Sequence, residues 1–399
     1  MKQLRLGAAG LGRAFMLMLP TLVAHPRVQL VAASDPREEA RRAFEREFGG
    51  RSYESFDAMC GDPGVDAIYI ATPHEMHAQH VIAAAHRGKH VLVEKPMAIT
   101  LAECEAMVRA ARGAGVTLVI GHSHSFDLPF VRTRQLIESG AYGGVRMITA
   151  MNFTDFIYRP RRPEELDTRK GGGVVFSQGA HQVDVVRLLG GGLVRSVRAH
   201  TGRWDASRPT EGAYSAQLVF EDGTFASLVY SGYAHFDSDE LVGWIGEMGH
   251  RKDPSRYGAA RAGLRRDLSP SEEAALKNQR AYGMMTPESK APVAHNQFGV
   301  VIASCDGADL RPMADGVMVY DDARAWLDPL PPPVVPRGEV IDEWCDAIAD
   351  VRPATHTGEW AMATLEVCLA ILESARSGRE VTLSHQVALP VRFTKETAC

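Results

Sequence analysis

The sequence predicts an α/β protein: an N-terminal doubly wound parallel sheet, followed by an α+β domain built on a large, mostly antiparallel sheet. Three observations carry this expectation. Residues 2–122 alternate short apolar runs with helix-period segments, as strands buried between two layers of helices do. A glycine-rich turn joins the first strand to the first helix. Beyond about residue 123, strand-like runs follow one another across short turns, the pattern of antiparallel hairpins. At 399 residues the chain exceeds what a single core usually organises, so two domains are expected, 1–122 and 123–399.

In order, "LRLGAAG" reads as a strand, "RAFMLMLPTLVAH" as a helix, "VQLVAASD" as a strand and "PREEARRAFEREFG" as a helix. The alternation continues through "VDAIYIATP", "EMHAQHVIAAAHRG", "HVLVEKP", "TLAECEAMVRAARGAG" and "VTLVIGH", which makes "HVLVEKP" the fourth strand. In the second half, "PFVRTRQLIESG" reads as a helix and "VRMITAMNFTDF" as a strand. Further strands are expected at "VRSVRAHTGRW", "AYSAQLVFED", "TFASLVYSGYA" and "DELVGWIGEM", with a turn at Glu221-Asp222-Gly223. Residues 247–297 are polar and rich in Arg and Lys. They read as an insertion within the sheet, a flap or oligomer contact whose charges are mostly solvated. "WLDPLPPPVVPRGE" bridges into two C-terminal helices.

Apolar residues make up 45% and charged residues 23%, the balance of a soluble globular protein. A net charge of −5 and a pI near 6.3 provide no basic field for a nucleic acid. No apolar run reaches the length of a membrane span. "AAGLGRAFMLMLPTLVAHP" has Arg13 in its centre, so it is read as part of the fold and the protein as cytoplasmic. The six cysteines are scattered without a C-x-x-C pair, which fits reduced thiols and no metal site.

The first strand-to-helix turn carries Gly10 and Gly12, with Phe15 in place of the third glycine of a dinucleotide-binding G-x-G-x-x-G. Glycines there let the backbone approach a pyrophosphate at the helix N-terminus, as in a Rossmann domain. Asp35 ends the second strand, where a carboxylate accepts from ribose hydroxyls and repels a 2′-phosphate. That favours NAD, while Arg37 two residues on keeps NADP open. Lys95 ends another strand within "HVLVEKPMAIT", at the edge where doubly wound sheets bind ligands. A partly desolvated Lys exchanges protons nearer neutrality.

The glycine turn, "ATPHEMH", "VEKPMAIT" and "GGGVVFSQGAHQVD" together resemble the Gfo/Idh/MocA family, the glucose–fructose oxidoreductase and inositol dehydrogenase group. "LIESGAYGGV" and "AILESARSGREVTL" extend the likeness over nearly the whole chain. The resemblance implies an NAD(P)-dependent oxidoreductase with Lys95 and His181 as catalytic residues. It implies cofactor contacts from Gly10, Leu11, Gly12, Arg13 and Asp35, from the loop Thr72, Pro73, His74 and His77, and from Glu94 and Lys95. It also implies a homo-oligomer, dimer or tetramer, packed through one face of the second sheet. The chain departs from the family at Ser177, where Asp is common four residues before the His. Asp184, on the same helical face as His181, could orient it instead.

"FIYRPRRPEELDTRKGGG" places Arg159, Arg161 and Arg162 just ahead of that segment. With Ser177 and His181 they are expected to contact the substrate, since Arg matches a carboxylate or phosphate. Glu164, Glu165 and Asp167 share the stretch, and a solvated charged loop is the alternative. An anion-facing site resembles the family branch that acts on phthalate 4,5-cis-dihydrodiol. Rival readings are a sugar or cyclitol dehydrogenase, an oxidoreductase that retains its nicotinamide, and a non-catalytic NAD(P) sensor. His74, His77 and His80 read as helix-surface histidines. His122 and His124 lie at the cleft edge, in a contact or a structural role, and Asp127 reads as a charge favoured by a helix dipole.

Overall fold

The computed structural model describes residues 3–121, 124–256, 258–264, 268–284 and 292–390. Among them, the first sheet consists of β1 (Leu4–Ala9), β2 (Val28–Ser34), β3 (Arg51–Tyr53), β4 (Ala67–Ile70), β5 (His90–Glu94) and β6 (Leu118–Gly121). All pairs are parallel, in the order β3-β2-β1-β4-β5-β6. The helices α1 (Arg13–Ala24), α2 (Glu38–Phe48), α3 (Phe56–Cys60), α4 (His77–His86) and α5 (Leu101–Ala114) connect them. β3 and α3 are too short to leave a periodic signal, and they make "HVLVE" the fifth strand, not the fourth. The strand order reverses between β1 and β4, so the ends of β1, β2, β4 and β5 open on one crevice.

Next come α6 (Leu128–Glu138), β7 (Val145–Phe153), α7 (Ala180–Gly190), β8 (Val194–Gly202), β9 (Ala213–Phe220) and β10 (Phe225–Ser231). They are followed by α8 (Ala259–Gly263), α9 (Pro270–Asn278), β11 (Val300–Cys305), β12 (Ala308–Met313), β13 (Gly316–Asp321) and β14 (Ala325–Pro329). The chain ends in α10 (Gly338–Ile348), α11 (Gly358–Ser377) and β15 (Val381–Thr382). The second sheet runs β14-β13-β12-β11-β7-β10-β9-β8-β15. It is antiparallel except where β10 lies parallel to β7. Gly223 (φ 88°) closes the β9–β10 hairpin.

"DELVGWIGEM" is not a strand. Ser238–Val242 winds into a 3-10 turn whose first N–H groups are capped by the Asp237 side chain, and Lys252 pairs with Asp237 and Asp239. Local side-chain caps outcompete ladder bonds in so acidic a run. The segment after it is not a solvated flap either. Glu273 on α9 takes the Arg208 guanidinium at 2.7 Å and the Arg161 N–H at 2.7 Å, and Lys277 pairs with Glu165. Tyr282 donates its N–H to Leu11 O at 3.1 Å and sets its ring edge-on to Phe15 at 5.4 Å. Phe15, where a third glycine would stand, fills space that this segment closes.

The two halves interlock. On α10, Val340, Ile341 and Trp344 share a buried cluster with Leu19 and Leu22 of α1, while on α11 Ala361 and Leu365 join the cluster of α4, α5 and Phe176. Arg187 of α7 is fully buried. Its Nη1 donates to Trp360 O at 2.9 Å and to Thr364 Oγ1 at 2.8 Å, and its guanidinium lies 4.0 Å from the Trp360 ring centre. Burial lowers its pKa to about 10 against the pull of Asp184, so it stays cationic at neutral pH. Arg187→Met would strand these acceptors, and a loss on the order of 3 kcal/mol in urea unfolding is expected. An unchanged midpoint would rule out this guanidinium as a structural tie.

Candidate active site and cofactor cleft

Gly10 adopts φ 82°, and a Cβ on it would come within 2.8 Å of Ala71 O. Only glycine fits where β1 turns past β4. A Cβ on Gly12 would meet nothing within 4 Å, because that side of the turn faces a cleft of about 560 Å³. Asp35, at the end of β2, accepts the Leu11 N–H at 2.8 Å. Arg37 folds back onto the same carboxylate through Nε (2.9 Å) and Nη2 (3.0 Å). Asp35 thus fixes the turn and stands at the rim of the cleft. Leu11, expected at the cofactor, has its side chain fully buried, so it offers only backbone. Arg13, Thr72, Pro73 and His74 line the cleft. A turn without Cβ atoms beside an open cleft, with an acid ending the second strand, fits a dinucleotide.

His77 and His80 are not surface histidines. Both are buried. His77 places Nδ1 2.9 Å from Pro96 O and Nε2 2.9 Å from Thr72 O, tying the loop after β4 to the one after β5. His80 Nδ1 lies 3.0 Å from Thr72 Oγ1. His77 therefore holds the loop that lines the cleft from beneath it. Helical period alone could not reveal this, because the 3-10 turn His74–Met76 ahead of α4 changes the phase. Burial, followed by the charges of His77 and Lys95, pushes the His74 pKa down to about 3, so a neutral imidazole faces the cleft. Glu94 accepts the Tyr69 hydroxyl at 2.7 Å.

Lys95 follows β5, and the Lys95–Pro96 bond is cis. Its Nζ donates to the carbonyl of Ser177 at 2.7 Å. Ser177 sits in a π-helical turn, Val175–Gly179, where the Ala180 N–H reaches five residues back to Val175 O. Such turns re-aim carbonyls at functional sites. The observed contact of Ser177 is therefore its backbone. Burial lowers the Lys95 pKa, opposed by Glu94 and Glu247. His181 follows in the first turn of α7 and is buried. The three glycines before it are close approaches: a Cβ on Gly172 would fall 2.6 Å from the Glu165 backbone, and one on Gly173 1.9 Å from Glu211 Oε1.

The His181 ring lies 4.6 Å from that of His124. His124 sets Nδ1 3.0 Å from Asp127 Oδ2 and Nε2 3.3 Å from Glu247 Oε1. Burial opposes its charge, but the two carboxylates prevail and raise its pKa. Glu247 is drawn down to about 2, against burial, by His124, Arg159 and Lys95. Sequence reasoning missed Glu247 and underrated His124 and Asp127. Asp127 does stand at the N-cap position of α6, but its side chain makes no capping hydrogen bond; it is buried and takes the Asn296 amide at 3.2 Å. The only local signal was a cluster of polar residues in "SHSFD" and "GEMGH". His122 lies outside the described residues. Asp184, expected to orient His181, accepts from Trp360 Nε1 (2.6 Å), Thr364 Oγ1 (2.8 Å) and Ser125 Oγ, so its carboxylate serves the junction with α11.

The three arginines divide. Arg159 lines a cavity of about 230 Å³ together with Thr154 and Glu247 and pairs with Asp155 at 3.1 Å. Arg161 is a structural residue: its guanidinium stacks 3.6 Å from the Phe156 ring centre and donates to Phe156 O at 2.8 Å. Arg162 lines the cofactor cleft and bonds Asn278 Oδ1 at 3.1 Å.

Comparison with known proteins fits this geometry. A family model described as "Oxidoreductase family, NAD-binding Rossmann fold" matches residues 4–122. A GFO/IDH/MocA C-terminal domain model matches 130–250. The chain is 48% identical over 377 residues to a 1-carboxy-3-chloro-3,4-dihydroxycyclohexa-1,5-diene dehydrogenase of Comamonas testosteroni, covering 94% of this chain and 95% of that one. It is 30% identical over 198 residues to a myo-inositol 2-dehydrogenase of Thermotoga maritima, covering 49% and 58% respectively. A solved structure from Bordetella bronchiseptica RB50 superposes with a TM-score of 0.91 at 44% identity, covering 96% of this chain and all of that one. Asp35→Ala is expected to weaken NAD binding about tenfold or more by calorimetry, through loss of the ribose acceptor and of the Leu11 N–H anchor. Unchanged affinity would remove Asp35 from the cofactor site.

Proposed function

The chain belongs to the Gfo/Idh/MocA family of NAD-binding oxidoreductases, and on that premise we propose that it dehydrogenates a carboxylated cis-dihydrodiol of a cyclohexadiene ring. The observation that carries this reading is a near full-length match, 48% identical, to a relative named for a carboxylated dihydroxycyclohexadiene. It is supported by Arg159 lining a small cavity beside Glu247, whose charge couples to Lys95. A guanidinium there matches a ring carboxylate.

When bound, NAD supplies the hydride acceptor. Lys95 takes the proton of the departing hydroxyl. It must be neutral to do so, and its burial favours the neutral form. His181, packed against His124 and Phe298, holds the same hydroxyl in line. Gly10, Gly12, Arg13 and Asp35 seat the dinucleotide, the loop Thr72 to His77 supports its nicotinamide end, and Arg162 reaches it from the second domain. Loss of hydride and proton from a dihydrodiol restores an aromatic ring, so the step needs less help from a base than oxidation of a saturated alcohol.

A neutral cyclitol is the second reading. It is favoured by the partial match to an inositol dehydrogenase and by the pairing of Arg159 with Asp155. A pure sensor role is disfavoured, because binding NAD alone has no use for a half-buried Lys95 and a buried His181. We also read the protein as a cytoplasmic homo-oligomer. Free Cys60, Cys104, Cys305, Cys345 and Cys368 fit a reducing compartment. The outer face of the second sheet carries Phe225 and Tyr320, both exposed, which suits a partner subunit.

With NAD and phthalate 4,5-cis-dihydrodiol or 3,4-dihydroxycyclohexa-1,5-diene-1-carboxylate, NADH absorbance should rise, whereas myo-inositol should give little. The reverse ranking would install the cyclitol reading. Lys95→Ala should lower kcat by roughly 10²–10⁴ with NAD affinity nearly unchanged, and normal turnover would remove Lys95 from the chemistry. Arg159→Ala should raise KM for the carboxylates about tenfold and leave that for a neutral diol alone. Equal effects on both would assign Arg159 a structural role.

A further inference from the structure

Position 177 leaves the Lys95–His181 pair without a nearby aspartate in sequence. We propose that Glu247, delivered by the loop that follows the 3-10 turn of the second domain, supplies the missing carboxylate as a positioning residue for proton transfer at Lys95 and His181. The proposal rests on the dehydrogenase reading above and deepens it.

The geometry is specific. Ligand atoms of His124, His181 and Glu247 all lie within 4.8 Å of one another. Glu247 holds His124 from one side at 3.3 Å, and Asp127 from the other at 3.0 Å. The His124 ring meets that of His181 edge-on, at 75° between planes. Fixing His124 therefore fixes the wall against which His181 packs, and Phe298 completes that wall 4.8 Å from His124 and 5.2 Å from His181.

Glu247 is not a stray surface acid. Its loop is pinned by the Ile245–Arg251 bridge and by Gly246 N–H to His250 O at 2.8 Å. The Gln297 amide donates to Ile245 O at 2.9 Å and to Asp239 Oδ1 at 2.7 Å. Gly249 must be glycine, because a Cβ on it would fall 2.2 Å from Ala294 O. A loop so constrained holds one carboxylate at one place.

Charge balance gives that carboxylate a purpose. The groups facing Glu247 are Lys95, Arg159 and His124, with Arg13 beyond them. Arg337 acts on the Lys95 side, Asp127 on the far side of His124, and Asp155 is already paired with Arg159. Glu94 also acts on Lys95, ahead of Glu247, and the Tyr230 phenol lies in reach of Glu247; apart from these, Asp127 and Asp155, the groups named are cationic or become so when they accept a proton. As Lys95 takes up the hydroxyl proton it becomes an ammonium in a desolvated site, and a fixed negative charge nearby stabilises that product.

The sign of the test follows. Activity rises with pH as Lys95 loses its proton, so the rising limb of kcat/KM tracks the Lys95 pKa. Glu247 raises that pKa, so Glu247→Gln should move the limb to lower pH. The weaker base should also reduce kcat by roughly 10- to 100-fold, with NAD affinity unchanged. Phthalate 4,5-cis-dihydrodiol is the assay substrate. Adding Ser177→Asp in the Glu247→Gln background should recover at least part of the rate, and Glu247→Asp should keep the wild-type limb at reduced kcat. In cofactor-free protein, the His124 imidazole followed by NMR should titrate at lower pH in Glu247→Gln, a readout independent of turnover.

An unmoved limb with kcat within about twofold of wild type would overturn the proposal. So would stoichiometric zinc in the purified protein with activity lost to a chelator, since the trio would then be a metal centre. Should Glu247→Gln not fold, Glu247→Asp decides: a displaced limb with unaltered kcat overturns the assignment. Turnover retained in Lys95→Ala would instead remove the dehydrogenase mechanism, while the His124 titration would still report on the Glu247 contact.

Discussion

A lysine ammonium held in a desolvated seam is the constraint around which this molecule is built. Lys95 leaves the edge of one sheet and donates to a carbonyl of the other domain, Ser177 O at 2.7 Å. Burying an unpaired ammonium is prohibitive, so the seam must offer acceptors and negative charge or let the proton go. The structure provides both. The π-helical turn aims a carbonyl at Nζ, while Glu94 and Glu247 temper the drop in pKa that burial imposes. Its surroundings are tightly tied: His77 joins the loop of Pro96 to that of Thr72, and Gly172 and Gly173 let the chain before His181 pass close to Glu165 and Glu211.

The junction between the domains obeys the same logic at larger scale. Helices α10 and α11 return from the C-terminal half and cover helices of the first sheet. Where they meet α7, the polar groups of Asp184, Arg187, Ser125, Trp360 and Thr364 satisfy one another in the dark. A buried network holds a unique geometry only when it is satisfied throughout. This one fixes the register of α7, and α7 carries His181. The place of His181 thus derives in part from a polar network on the opposite side of α7.

The polar segment 247–297 is tied into the rest of the molecule. Its α9 anchors the basic loop, Glu273 accepting the Arg161 N–H and Lys277 pairing with Glu165, and Tyr282 closes over Phe15 and bonds the glycine turn at Leu11 O. The loop preceding it brings Glu247 to His124. Three contacts from one stretch of sequence therefore reach the glycine turn, the basic loop and the seam between the two sheets.

The sequence by itself determined a good deal. Apolar periodicity and the glycine turn foretold the parallel sheet and its crevice, because burial on two faces and close backbone approach each leave a local mark. The places of Lys95, His181, Gly10, Gly12 and Asp35 in the fold were legible for the same reason: each sits at a strand end, turn or helix start that its neighbours announce. Tertiary structure alone decided the rest. That His77 is a buried tie, that Arg161 stacks on Phe156 while Arg159 faces the cavity, and that Asp184 serves α11 all depend on which side of a turn a side chain leaves. Glu247 and His124 are separated by more than a hundred residues, and no periodicity encodes the packing that joins them. Local pattern fixes which elements form; long-range charge pairing, decided only when the elements meet in a desolvated interior, fixes which residues share a site.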